Sequence, residues 1–282
     1  MTLIDAIAGP QGDLLGLCRF WREDAAAEWG LAMRDRGARL RTADGLRPWL
    51  ERRRAEGYLA CVTLSHPELF RAIGRPGGAL PVTLPVVPNL QGFMREAVEH
   101  GMIGAGLRRA LRVGPLALAG LGLRSVGRAG LLVQRDFPTM LRSFVELELA
   151  DFARQRPPLV FLQAQVTDLA VAMHQPRTIE SFCHAVRDRA GAAPGLVTAN
   201  LVSLTAALKT WGLEVAALLA PWDPAGRHMR PTPEACVLAA KAAGLPIWAD
   251  RQGCLPPVGA EERQAYLRSG LVGAVRDDIS LW

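Results

Sequence analysis

Carboxylate side chains follow apolar runs in the second half of this 282-residue chain. Asp250 comes directly after the run 245–249, and Asp223 follows the run 214–222. An acid at the end of a buried strand must be exposed or paired, and it can transfer a proton or bind a hard divalent cation. These positions predict acid–base or metal-assisted chemistry, with Asp250 or Asp223 as the general base.

Amide and guanidinium groups near the same run ends could hold the anion that such chemistry creates. Gln163 and Gln165 would alternate onto one side of an extended chain, although Thr167 or Asp168 could instead cap a short helix there. Asn200 could likewise donate to an oxyanion or cap the next helix. The predicted oxyanion donors are Gln163, Gln165 and Asn200, and the predicted anion clamp is Arg227, Arg230 or Arg276.

The loop 221–231 is the most unusual connection in the chain, since it combines prolines, a glycine, an acid and three basic side chains. Trp222 would supply a flat apolar wall for a substrate, and an ordinary surface turn is the alternative. His66 follows an earlier apolar run, where it could act as an acid or a metal ligand or simply form a turn before Pro67. The predicted ligands for Mg²⁺ or Mn²⁺ are Asp223, Asp250 and Asp277.

Apolar runs alternate with helix-like segments along most of the chain, and this pattern is typical of a parallel sheet covered by helices. Ligand sites in such folds lie at the carboxyl ends of the strands. The expected strands are 58–65, 80–87, 115–120, 159–163, 196–200, 214–222, 245–250 and 272–276. Eight strands close a sheet, so residues 57–282 resemble the (β/α)8 TIM barrel as a fold class, with an open doubly wound sheet as the alternative. Residues 1–56 are expected to form an N-terminal helical extension packed on the barrel.

Several barrel mechanisms lack their required residues. The lysines, Lys209 and Lys241, fall in predicted outer helices, which argues against Schiff-base chemistry. Tyr58 and Tyr266 are badly placed for a reductase tetrad, and no His-x-His or His-Glu-x-x-His pattern occurs. The remaining prediction is a lyase or isomerase acting on a small anionic substrate. A flavin- or metal-dependent oxidoreductase is a further alternative.

The positive charge of the chain is concentrated in one segment. Residues 106–142 contain seven arginines and one aspartate, Asp136, against a net charge of +6 for the whole chain. This segment, Arg108–Arg142, could contact an anionic substrate, a membrane surface or an acidic protein, or form an ordinary solvated face. Few aromatics interleave with it, so no nucleic acid is expected. The rival hypothesis is therefore an inactive barrel that acts as a binding or assembly subunit through this segment.

The cellular compartment is predicted from cysteine usage and from missing signals. Five scattered cysteines without CxxC spacing favour a reducing environment. The first residues lack the basic and apolar regions of a secretory signal, and no apolar stretch is long enough to cross a bilayer. The expected location is the cytoplasm.

Overall fold

The computed structural model describes residues 12–16, 43–64, 81–90, 92–94, 96–101, 136–153, 155–223, 226–251 and 259–277. Within these ranges the chain is an α/β protein whose strands form a parallel barrel. Among the helices of this described part, none has the length and apolar character needed to cross a membrane.

The strands follow one another around the barrel in sequence order. They are β1 (Leu14–Gly16), β2 (Ala60–Leu64), β3 (Val82–Val87), β4 (Leu159–Leu162), β5 (Ala193–Val197), β6 (Ala217–Pro221), β7 (Ile247–Asp250) and β8 (Gly273–Asp277). The helices are α1 (Ala43–Ala55), α2 (Phe137–Asp151), α3 (Ala164–Ala172), α4 (Pro176–Ala190), α5 (Leu201–Trp211), α6 (Pro233–Ala242) and α7 (Ala260–Arg268). Residues 92–94 and 96–101 are also helical.

Strands β2 to β8 form a nearly closed sheet of seven parallel strands. The three-residue strand β1 pairs with both edges of this sheet, through Leu15 with Cys61 on β2 and with Arg276 on β8. An open doubly wound sheet would leave these edges apart.

Two sequence expectations differ from this arrangement. The predicted strand 115–120 lies outside the described residues, and β3 pairs directly with β4 at Val86–Phe161, the position expected for that strand. Strand β1 instead comes from the segment 1–56, for which the sequence predicts helices, and that helical extension is not confirmed. Three residues are too few to show the alternation that identifies a strand.

Apolar side chains fill the barrel on both sides of the sheet. An inner cluster includes Phe161, Leu219 and Trp248, while an outer cluster between sheet and helices includes Leu218 and Ile247. Neighbouring residues of one strand thus belong to opposite clusters, as the two-residue period of a strand requires. The alternation fixes which residues at the strand ends face the barrel interior.

The first described residues are fastened to β7 and β8. The indole Nε1 of Trp248 donates to the Gly12 carbonyl at 2.9 Å, and the Ala274 N–H donates to Asp13 Oδ1 at 3.1 Å. A Cβ at Gly273 would lie 2.0 Å from the Gly12 carbonyl oxygen, so only glycine permits this approach. These contacts hold β1 in the barrel.

Candidate functional site

The carboxyl ends of parallel strands meet at one rim of the barrel. Two parts of this rim differ in their contacts. The β3–β4 rim is defined here by Asn89, Glu148 and Gln163, and the β5–β7 rim by Thr198, Asn200, Asp223 and Asp250.

Asp250 is the last residue of β7 and is partly buried. Trp248 belongs to the inner cluster, and Ile247 and Ala249 belong to the outer one, so the alternation places Asp250 on the interior side of the strand. The inner cluster beside it is apolar and includes Leu219 of the neighbouring strand. Asp250 therefore lies at the edge of an apolar layer, and a carboxylate in this position can accept or donate a proton.

Arg251 lies on the opposite side of the same strand end and is only 5% exposed. Its guanidinium is 3.2 Å and 3.4 Å from the two carboxylate oxygens of Glu262 on α7. Glu262 also accepts a hydrogen bond from the Tyr266 hydroxyl. Burial, followed by the contact with Glu262, raises the pKa of Tyr266, so this hydroxyl stays protonated. The chain of three groups anchors the end of β7 to α7.

Asp223 organises the loop after β6. Its carboxylate accepts the backbone N–H groups of Arg227 at 3.2 Å and His228 at 3.0 Å. The side chains of Arg227, His228 and Arg230 are exposed. The loop therefore holds basic side chains in solvent beside the rim, as an anion clamp would require.

Trp222 does not form the expected substrate wall. Its side chain is 5% exposed and belongs to the outer cluster between sheet and helices. The sequence hypothesis assumed a side chain in the loop, whereas the strand alternation turns Trp222 away from the interior.

A series of hydrogen bonds links α3 to the segment that follows β5. Asp168 accepts the Thr198 hydroxyl at 2.5 Å and the Ala199 N–H at 2.9 Å. Thr198 Oγ1 accepts the Asn200 N–H at 2.9 Å, and Asn200 Oδ1 accepts the Ser203 N–H at 3.1 Å. Desolvation raises the pKa of Asp168, and the two donated hydrogen bonds oppose this shift without cancelling it.

The polar side chains of the β3–β4 rim accept hydrogen bonds from backbone N–H groups. Both carboxylate oxygens of Glu148, which is 3% exposed, accept the Asn89 N–H, at 2.9 Å and 2.8 Å. Gln163 Oε1 accepts the Leu90 N–H at 3.3 Å, and Asn89 Oδ1 accepts the Gly92 N–H at 2.9 Å. These side chains start the helical segment after β3.

The two glutamines do not share one side of an extended chain. Helix α3 begins at Ala164, directly after Gln163, so Gln165 lies in its first turn and is exposed. Neither Thr167 nor Asp168 caps this helix, because both lie inside it, and Thr167 donates its hydroxyl to the Gln163 carbonyl at 3.2 Å. Gln163 thus has a structural contact at the start of α3, whereas Gln165 is exposed in the first turn of that helix.

Other predicted site residues are only partly described. His66 lies outside the described residues. Arg276 and Asp277 form the end of β8, but only their backbone is described. The backbones of Asp223, Asp250 and Asp277 lie at the carboxyl ends of the neighbouring strands β6, β7 and β8. In the ranges that the structure covers, no group of three or more His, Cys, Asp or Glu side chains is placed to hold a metal ion.

Comparison of the chain with protein-family models, with curated proteins and with solved structures gives no match.

Of the arginine-rich segment, the structure describes only residues from Asp136 onward. Arg142 is 2.9 Å from Glu146 and 2.9 Å from Asp188 on α4, so it forms ion pairs within the chain. The other arginines of Arg108–Arg142 lie outside the described residues.

Three cysteines are described, and all are buried: Cys61, Cys183 and Cys236. Burial raises the pKa of Cys61 to about 12 and of Cys183 to about 11. Both therefore remain thiols rather than reactive thiolates.

Sequence reasoning missed Thr198 and Glu148. Thr198 is a small polar residue placed directly after β5 and before a helix cap, which is a usable signal. Glu148 lies on a helix far along the chain from Asn89, and nothing local in the sequence indicates their contact.

Proposed function

We propose that this protein is a small-molecule enzyme of the lyase or isomerase type, with Asp250 as the general base. The observation that carries the proposal is the position of Asp250 at the carboxyl end of β7. Asp250 comes two residues after Trp248 of the inner cluster and therefore lies on the same, interior side of the strand. We further propose that the complete chain forms an eight-stranded TIM-type (β/α)8 barrel.

The proposed reaction is removal of a proton from carbon next to a carboxylate or carbonyl group. Asp250 takes the proton, and the resulting anion is stabilised by donors on the same rim. Asn200, which caps α5 after β5, supplies an amide donor, and the exposed Arg227 and Arg230 bind the remaining negative charge of the substrate.

A divalent cation is an optional part of this proposal. Asp223, Asp250 and Asp277 belong to the carboxyl ends of three neighbouring strands and have the oxygen ligands that Mg²⁺ or Mn²⁺ prefers. Elemental analysis after purification without chelator tests this version. The expected cellular location remains the cytoplasm, where the buried thiols of Cys61, Cys183 and Cys236 would stay reduced.

The proposed reaction can be tested before the substrate is known. The protein is incubated in D₂O with a panel of small 2-oxo, 2-hydroxy and phosphorylated acids, and NMR follows exchange of the carbon-bound proton. We expect wild-type protein to exchange at least one of them, and Asp250→Asn to be slower by about 10²- to 10⁴-fold.

Asp188→Asn is the matched control, because Asp188 is an exposed acid on α4 that contacts Arg142. It is expected to exchange at the wild-type rate. If Asp250→Asn exchanged the proton at the wild-type rate, the assignment of Asp250 as the general base would be wrong. No exchange by wild type, together with an acidic protein retained in purification, would favour the binding-subunit hypothesis.

A further inference from the structure

We propose that Asp168 is a positioning residue that fixes the amide donor of Asn200 through the hydroxyl of Thr198. The inference deepens the proposed function and depends on it, since there Asn200 donates to the anionic substrate.

The contacts form one directed chain from α3 to the start of α5. Thr198 is 1% exposed, and its hydroxyl has a single proton, which it donates to Asp168 at 2.5 Å. The oxygen of this hydroxyl then accepts the Asn200 N–H at 2.9 Å. Asp168 therefore sets the direction of the hydrogen bond that holds the backbone of Asn200.

A second contact from Asp168 reinforces the first. Its other carboxylate oxygen accepts the Ala199 N–H at 2.9 Å. The backbone on the amino-terminal side of Asn200 is thus held by one carboxylate, directly and through Thr198. Since Asp168 is on the helix that follows β4, the contact also ties this helix to the end of β5.

The side chain of Asn200 is oriented by its role as a cap. Its Oδ1 accepts the Ser203 N–H at 3.1 Å, while its backbone angles, φ −134° and ψ 83°, are not helical. Because the oxygen of the amide is committed to α5, the NH₂ group is the part of the side chain that can donate to a ligand. Losing the Asp168–Thr198 contact would free the backbone that sets this orientation.

The carboxyl ends of β5 and β7 are close enough for a short ligand to contact the segments at both. Strand β6 separates β5 from β7, with Val197 paired to Leu219 and Pro221 paired to Asp250. Two interstrand spacings amount to about 10 Å of backbone separation. With a hydrogen bond of about 3 Å at each end, this separation favours a small carboxylate or phosphate compound.

The test uses matched substitutions at Thr198. Thr198→Val keeps the shape of the side chain and removes the hydroxyl, whereas Thr198→Ser keeps the hydroxyl. Two-dimensional NMR follows the side-chain NH₂ signals of Asn200 while acetate, and separately inorganic phosphate, is added to the full-length protein. Asp168→Asn is measured as a second variant, so that the result does not depend on one substitution folding.

We expect saturable shifts of the Asn200 NH₂ signals in wild type and in Thr198→Ser with at least one probe. Thr198→Val and Asp168→Asn should weaken that binding about tenfold while the remaining spectrum stays that of the folded protein. Equal binding in Thr198→Val and wild type would overturn the proposal, and so would unchanged Asn200 signals in wild type with both probes.

The result is independent of the proton-exchange assay. If Thr198→Val changes the Asn200 signals and their response as expected but wild type exchanges no carbon-bound proton, the positioning role stands and the proposed reaction fails. If exchange occurs, depends on Asp250 and is unaffected by Thr198→Val, the reaction stands and the positioning role fails.

Discussion

The β3–β4 rim and the β5–β7 rim carry similar residue types at equivalent places in the fold, yet their side chains are used differently. On the β3–β4 rim, Glu148 and Gln163 accept backbone N–H groups of Asn89 and Leu90. On the β5–β7 rim, Asp168 and Asp223 bind loop backbone and thereby place other polar groups, including the Asn200 amide and exposed arginines. Residue type at a strand end therefore does not identify a site by itself, because the same types accept backbone N–H groups on both rims.

The largest expected effect on stability concerns the ion pair of Arg251 and Glu262, which anchors the end of β7 at the β5–β7 rim. Arg251→Met would remove the buried cation from Glu262, whose side chain is 21% exposed, and breaking this largely buried pair should lower the free energy of unfolding by about 3 kcal/mol. Urea unfolding of wild type and variant measures this change. Adding Glu262→Gln should restore much of the lost stability, since it removes the unpaired charge and its amide oxygen can still accept the Tyr266 hydroxyl. If Arg251→Met alone were as stable as wild type, the contact between Arg251 and Glu262 would not stabilise the end of β7.

A smaller effect is expected at the β3–β4 rim. Glu148→Leu removes the acceptor of the Asn89 N–H from a buried position, which should lower the free energy of unfolding by about 2 kcal/mol. Glu148→Gln retains one acceptor oxygen and should lower it less. Because this rim has a structural role, both folded variants should retain wild-type proton exchange. A selective loss of exchange in Glu148→Gln would break the distinction between the rims.

The smallest effect is a dependence of stability on pH at Asp168. Desolvation raises the pKa of this carboxyl in the folded protein above its unfolded value of about 3.9. Its protonated form therefore favours folding, and the stability that it contributes falls as the pH rises from about 4 through the raised pKa.

Asp168→Asn removes this titration. The difference in unfolding free energy, wild type minus variant, should decrease as the pH rises over that interval, as measured by urea unfolding from pH 4 to 7. A constant or increasing difference would mean that the hydrogen bonds from Thr198 and Ala199 outweigh desolvation.

The sequence predicted the strands of the second half best, because strong turn and cap signals bound them. The sequence Thr232-Pro233-Glu234 is such a cap signal, and Thr232 Oγ1 accepts the Ala235 N–H at 3.2 Å at the start of α6, while β7 ends at Asp250. Strand β5 was predicted at 196–200 but spans Ala193–Val197. Pro194 and Gly195 are unusual in a strand, and Gly195 is needed because a Cβ there would lie 2.7 Å from the Phe161 ring.

The roles of individual site residues were harder to predict. A strand buried on both faces has no polar alternation, so the sequence could not show that Trp222 faces the helices while Asp250 faces the interior. The contacts of Asp168 with Thr198 and of Glu148 with Asn89 join residues 30 and 59 positions apart. Such contacts depend on the packing of helices against the sheet, which local patterns do not encode.

The most direct test of the difference between the rims is a map of where small anions bind. Backbone amide signals are followed by NMR while acetate, pyruvate and inorganic phosphate are added to wild-type protein. The account predicts saturable shifts at residues 198–201, 226–230 and 250–251, and unchanged signals at 89–90, 92–94 and 163–165. Shifts confined to the β3–β4 rim, or absent from the β5–β7 rim with every compound, would contradict it.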